Sequence, residues 1–259
     1  MDDRIIELAA VAFRTDGRVL GTFEQLIDPG VPIPPLLTRI HGITNEMVAG
    51  KPTIERVLPE FLSFIGDGTL LAHNAPYDIS MLLVPLMRLT GGIAPGNLVL
   101  DTCALARTVF PGVANYKLST VAQLLRIPTG TAHRALSDVH ACKGIFEKML
   151  ERRGPAILIS DLVDMNCSEM VFGLSDRMLS EIPRGEDRAA ILGEAMRRGW
   201  PVKISYHGGT KGPGLRPVNP ITLMRQKDGI YLVAHCSLDR SVKYFRLERV
   251  WEIYPDPAS

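Results

Sequence analysis

The hydrophobic period changes once along this chain, and that change limits the fold more than any other feature. Up to about residue 150, strand patterns alternate with helix patterns; beyond about 200, strand patterns follow one another with no helix between them. IIELAAVAF (5–13) and RVLGTFEQLI (18–27) read as two strands joined at Thr15-Asp16-Gly17, a hairpin signal. A Pro-rich loop from Asp28 to Pro35 leads into short helical patterns over about 36–49 and 53–65. TLLAHN (69–74) is a buried strand running into a helix over 76–90, and NLVLD (97–101) is another, followed by helices near 102–109, 117–126 and 133–150. Strands alternating with helices indicate α/β layers.

From Arg152 to about Gly185 the pattern is mixed and predicts no element, so it reads as a connector. ILGEAMRRG (191–199) is a short helix, followed by the strands PVKISY, LRPVNPITLMRQ, GIYLVAHC, SVKYFRL and RVWEIY, with Lys227-Asp228-Gly229 as a tight turn. Closely spaced strands of this kind predict a small, highly curved sheet or barrel. The expected division is a domain over 1–153, a connector over 154–187 and a β domain over 188–259, which suits a chain of 259 residues.

Composition narrows the setting. No apolar run approaches the roughly 18 residues a membrane helix needs, and MDDRIIEL is no signal peptide. Cys103, Cys142, Cys167 and Cys236 show no paired spacing, which argues against a disulfide framework or a zinc site and for a cytoplasmic protein with reduced thiols. Residues 197–259 carry 11 Lys or Arg against 5 Asp or Glu, whereas residues 1–196 carry 18 against 23. A basic C-terminal piece points to a polyanionic partner, or only to a solvated basic face.

Polar residues break the pattern of the α/β part at three places. In TAHRALSDVHACKGIFEKML (131–150) the apolar stripe runs Ala135, Val139, Cys142, Phe146, Met149, and Asp138 sits beside it, toward the half-buried side. A carboxylate there needs a cation or several donors. His133, five residues earlier, would be about 140° away within one helix, so the two converge only if His133 lies in the loop or first turn, after Thr129-Gly130-Thr131. In LLAHNAPYDISML (70–82) a buried strand ends at His73-Asn74 and a helix starts by Asp78, at the strand end where α/β folds place their sites. Asp78 is equally explained as a first-turn acid favoured by the helix dipole. The third place, Ile40-His41-Gly42-Ile43-Thr44, is a turn into a helix and says little by itself.

AHNAPYD, NYKLSTVAQLLRIP and AHRALSDVHA, in this order, with IHGIT and LDTCALAR, resemble the DEDDh 3′–5′ exonucleases, which include the bacterial epsilon proofreading subunit. The similarity runs through residues 1 to about 150. It implies a ribonuclease H-like fold hydrolysing single-stranded DNA or RNA from the 3′ end, alongside a DNA polymerase or repair partner. It makes Asp78 the acid of the second motif, His133 the general base and Asp138 the acid of the third. Asp78 and Asp138 are then ligands of Mg²⁺ or Mn²⁺ in a two-metal site, and all three residues are catalytic. The chemistry is coherent, because paired hard cations on carboxylates neutralise a phosphodiester transition state and an imidazole takes the proton from water.

One element departs from that pattern. The family's first motif, Asp-x-Glu, lies on a strand just before the stretch that reads DDRIIELAAV here, so Asp2, Asp3 and Glu7 do not correspond to it. The expectation is a sheet lacking its central strand between the hairpin 5–27 and the strand 69–74, a metal site with half its carboxylates, and weak or no cleavage by residues 1–259 alone. An upstream start is the simpler origin of such a gap than an evolved open sheet, since buried unpaired backbone is costly.

The segment from about 190 to 254 resembles a WYL domain, an Sm-like β module, although the name-giving stretch reads Ile230-Tyr231-Leu232. The resemblance implies sensing or binding of nucleic acid or another anionic ligand, with Tyr206, Arg216, His235, Arg240 and Arg246 as pocket candidates. Guanidinium forks suit phosphate oxygens, and Tyr206, Tyr231 and Tyr244 are able either to stack bases or to pack a small core. Arg216→Ala and Arg246→Ala are each expected to weaken such binding. The rival to the enzyme is a binding or regulatory protein that kept the fold and lost the chemistry.

Overall fold

A computed structural model describes residues 4–90, 96–130, 133–153, 161–162, 168–171, 176–182, 186–208, 212–226 and 229–256. Most of the connector, Thr131 and the turn residues 227–228 lie outside them. The chain forms two compact units, residues 1–75 with 100–165 and residues 76–99 with 166–259.

In the first unit β1 (Glu7–Phe13) and β2 (Val19–Leu26) pair antiparallel from Glu7↔Leu26 to Phe13↔Val19. The turn holds because Asp16 Oδ1 accepts the Arg18 N–H at 2.9 Å while Gly17 adopts φ 88°, a conformation natural to glycine. Three helices follow, α1 (Pro35–His41), α2 (Asn45–Val48) and α3 (Ile54–Ile65). Thr44 caps α2 by accepting the Met47 N–H, and α3 buries Val57, Leu58 and Phe61, with Phe61 edge-on to Phe23 of β2. After β3 (Leu70–Ala72) come α5 (Thr102–Val109), α6 (Leu118–Leu124) and the long α7 (Ala135–Arg153). The sequence stripe on α7 is buried from Cys142 through Phe146 and Met149, joined by Ile145, and meets Leu105, Val109 and Val121 of α5 and α6. Each such side chain contributes about 1.5–3 kcal/mol when fully buried.

The hairpin stands apart. Among the described residues β1 and β2 form a two-stranded sheet of their own, while β3 ends another sheet beside β4 (Leu98–Asp101). Among the described residues the outer edges of β1 and β3 carry no strand. Helix α7 lies on β1, with Phe146 edge-on to Phe13 at 6.1 Å.

The second unit contains α4 (Ala75–Thr90) from Pro76 onward and β5 (Ser168–Val171), which lies within the stretch read as connector. Strand β5 pairs antiparallel with Leu98 and Val99 on one side and with the end of β7 (Gly214–Gln226) on the other. Helices α8 (Asp176–Ser180) and α9 (Glu186–Arg198) precede β6 (Val202–Tyr206). β8 (Gly229–Cys236), β9 (Ser241–Arg246) and β10 (Val250–Pro255) complete an antiparallel sheet in the order β10-β6-β7-β8-β9. Among the described residues β9 and β10 do not pair, so the element is a bent open sheet and not the closed barrel expected. The 13-residue β7 carries it, pairing with β6 through its first half and β5 through its second, with a bulge between Pro220 and Thr222. Its core joins Ile204, Val218, Leu232, Phe245 and Val250 to Leu192 and Met196 of α9. Arg188, buried on α9, donates to Leu247 O and to Val250 O at 2.6 Å and ties that helix to the start of β10. Among the described residues no helix is long and apolar enough to cross a membrane.

Candidate functional site

The strand β3 ends in a turn fixed from several sides. His73 Nε2 lies 2.8 Å from Tyr116 O and Nδ1 lies 2.9 Å from Thr102 Oγ1. A carbonyl only accepts, so Nε2 carries a proton; burial holds the His73 pKa below its ordinary value. Asn74 follows with φ 69°, and its N–H donates to Asp101 Oδ1 at 2.8 Å. The same oxygen accepts the Cys103 N–H at 2.9 Å, capping α5. One carboxylate thus holds a left-handed turn and starts a helix. The turn leads into α4, whose exposed first-turn residue is Asp78.

The second turn precedes α7. His133 is exposed with φ 62°, outside the helix, and Asp138 stands half-buried in the first turn, its N–H donating to Arg134 O at 3.0 Å. Burial raises the Asp138 carboxyl pKa, opposed by the His133 imidazole and by a hydrogen bond from the His133 backbone N–H, with Glu7 raising it further. The structure therefore brings His133 and Asp138 together.

It also brings in Glu7, which sequence reasoning left without a role. Its side chain is 5% exposed; Oε1 accepts from Arg134 Nη2 at 2.7 Å and Nε at 3.0 Å, and Oε2 accepts the Ala135 N–H at 2.7 Å. His41, from the turn that said little in sequence, accepts the Ile43 N–H through Nδ1 and sits within the fields of Glu7, His133 and Arg134. Burial is the chief cause of its lowered pKa. The available signal for Glu7 was a single acid in an otherwise apolar strand.

A half-buried carboxylate whose ionised form is disfavoured by burial fits the oxygen donor a hard cation takes, and Asp138 meets that description. Among the described residues no group of three or more His, Cys, Asp or Glu could hold a metal. The fit rests on Asp138 alone.

The five pocket candidates of the second unit do not converge on one face. Tyr206 and Arg216 are both 8% exposed and lie on the core side, Tyr206 edge-on to Phe245 and Arg216 donating to Gly212 O at 2.9 Å. Cross-strand pairs Tyr231↔Arg246, Val233↔Tyr244 and His235↔Val242 put Tyr231, His235, Tyr244 and Arg246 on the other face of β8 and β9. Exposed Arg240 sits between those strands with φ 48°.

The turn fixed by Asp101 and the His133–Asp138 pair stand on a ribonuclease H-like α/β fold. The chain belongs to the family described as Exonuclease (RNase_T), which it matches over residues 1–146, and residues 188–255 match the WYL domain. It is 40% identical over 148 residues to the DNA polymerase III subunit epsilon of Aquifex aeolicus, covering 57% of this chain and 72% of that one. It is 39% identical over 152 residues to a PolC-type DNA polymerase III of Caldanaerobacter subterraneus subsp. tengcongensis, covering 59% of this chain and only 11% of that much longer protein. Among solved structures it resembles Exonuclease X in complex with 5′ overhanging duplex DNA, at TM-score 0.51 and 28% identity over 63% of this chain and 91% of that one.

Proposed function

We propose that the first unit hydrolyses single-stranded DNA or RNA from the 3′ end with Mg²⁺ or Mn²⁺, and that the WYL part holds or senses nucleic acid or another anionic ligand. In this reading residues 1–153 are the nuclease domain, 154–187 the connector and 188–259 the WYL domain, in a cytoplasmic protein. The observation that carries it is His133 turned out of α7 against the Asp138 carboxylate, inside the segment matching exonucleases.

His133 takes the proton from the attacking water; its exposure lets solvent and substrate reach the ring. Asp138, and by the family resemblance Asp78, would hold the metal ions. Divalent cations bound there would lower the pKa of water and neutralise charge at the phosphate. Two carboxylates supply few oxygens for two cations, so cleavage by residues 1–259 alone is expected to be slow.

The test is cleavage of a 5′-labelled single-stranded oligonucleotide by the full chain, with Mn²⁺ and with chelator. Metal-dependent shortening from the 3′ end is expected, abolished in Asp138→Ala and slowed about 10²–10⁴-fold in His133→Ala. Turnover by Asp138→Ala equal to that of the parent would refute the assignment. Metal-independent binding without cleavage would favour the second reading, a non-catalytic nucleic-acid-binding protein.

A further inference from the structure

We propose that Glu7 is a positioning residue of the nuclease site: from β1 it supplies the N-terminal cap that α7 lacks and so fixes His133 against Asp138. The proposal rests on the nuclease reading above for its consequence, though not for its geometry.

The need is local. A helix leaves its first four N–H groups without intrahelical partners, and Ser, Thr, Asp or Asn at the N-cap normally accepts one of them. At the start of α7 that position is Arg134, which has donors only, and the residue before it, His133, holds φ 62°, a strained conformation for a residue with a Cβ. Among the described residues no hydrogen bond within His133-Arg134-Ala135 satisfies that backbone.

Glu7 does so from a distance of 127 residues in sequence. One carboxylate oxygen takes the orphan Ala135 N–H at 2.7 Å, while the other accepts two guanidinium nitrogens of Arg134 at 2.7 and 3.0 Å. Charge-assisted bonds to a carboxylate that is 5% exposed are strong and directional. The arrangement pins the residues on both sides of the helix start to a rigid strand. With Arg134 and Ala135 fixed, the His133 backbone N–H hydrogen-bonds the Asp138 carboxylate, and its imidazole lies within that carboxylate's field. Removing Glu7 frees the turn while leaving His133 and Asp138 chemically intact. Glu7 touches neither substrate nor metal in this account; it acts through the turn.

The experiment uses the full chain with Glu7→Ala, Glu7→Gln and Arg134→Gln, and with Glu147→Gln as a control on the outer part of the same helix. Amide hydrogen exchange is read residue by residue, and single-stranded oligonucleotide cleavage is read as kcat and KM. Glu7→Ala is expected to speed exchange of the Ala135 to Asp138 amides about 10-fold or more while β2 and α3 keep their protection. The value of kcat should fall about 10-fold or more with KM within about 3-fold, because binding is retained and alignment is lost. Glu7→Gln, whose amide oxygen still accepts the Ala135 N–H, should fall in between. Arg134→Gln should do likewise, keeping the proposal testable should Glu7→Ala fold poorly, and Glu147→Gln should match the parent. Unchanged exchange at Ala135–Asp138 in Glu7→Ala, a uniform rise throughout the unit, or parental kcat in that variant overturns the proposal. Local loosening in Glu7→Ala, with no cleavage by the parent, upholds the clamp and counts against the nuclease reading instead.

Discussion

Single residues on this scaffold carry pH dependence of predictable sign. His73 is packed between Thr102 and the Tyr116 carbonyl and held neutral by burial, so its folded pKa lies below the ordinary 6.5. The unfolded chain then binds its proton first as pH falls. Stability from this histidine is therefore complete above about 6.5 and is lost as pH drops through that value toward the folded pKa. The melting temperature of the metal-free protein is expected to fall between pH 7.5 and 5.5, and to fall less in His73→Gln, which keeps a donor for Tyr116 O without a titrating ring. His41 shifts in the same direction through burial, so the single variant should reduce the slope without erasing it. An unchanged slope in His73→Gln would place the acid sensitivity elsewhere.

At the scale of elements, both motif turns share one device: a left-handed, non-glycine residue at the mouth of a helix, fixed by a carboxylate from another strand. Asp101 accepts the Asn74 N–H itself and caps α5, whereas Glu7 accepts from Arg134 and Ala135, the two residues after His133. Asp101→Ala removes a cap and a turn bond together and should cost about 1–3 kcal/mol, read by urea unfolding. A loss below about 0.5 kcal/mol would mean that water replaces the carboxylate without penalty. Local periodicity made most helices and strands readable: α7 with its buried Cys142, Phe146 and Met149, and the hairpin at Gly17. It could not show Glu7 on Arg134, because a pairing across 127 residues leaves no mark in either local pattern beyond one acid in an apolar strand. β5 was missed for a related reason, since four residues pairing with β4 and β7 need no period of their own. The pocket candidates follow from a motif alone, and strand alternation divides them: Arg216 shares the core face of Ile204, whereas His235 and Arg246 alternate onto the other face.

For the molecule as a whole, the charge asymmetry acquires a location. In the proposed function the excess of basic residues after position 197 would attract polyanions at long range, and only groups on an open face would meet them closely. Tyr244, 42% exposed, lies with His235 and Arg246 on the outer face of β8 and β9, whereas Arg216 lies under the sheet bonded to a backbone carbonyl. Aromatic stacking and guanidinium contact are the two interactions that hold single strands without reading sequence. The full chain carrying Asp138→Ala, which removes digestion from the measurement, is expected to bind a single-stranded oligonucleotide with affinity that falls steeply with salt. Each neutralised phosphate adds a log–log slope of about −0.7. Tyr244→Ala should weaken binding at every salt concentration, since stacking releases no counterions, and Arg246→Ala should weaken it and flatten the slope by about one phosphate. Arg216→Ala should lower the melting temperature first and affect binding only through the folded fraction. If Arg216→Ala instead weakened binding in a fully folded protein while Tyr244→Ala and Arg246→Ala left it unchanged, the ligand would be meeting the core side of the sheet, and the outer face of β8 and β9 would have no part in it.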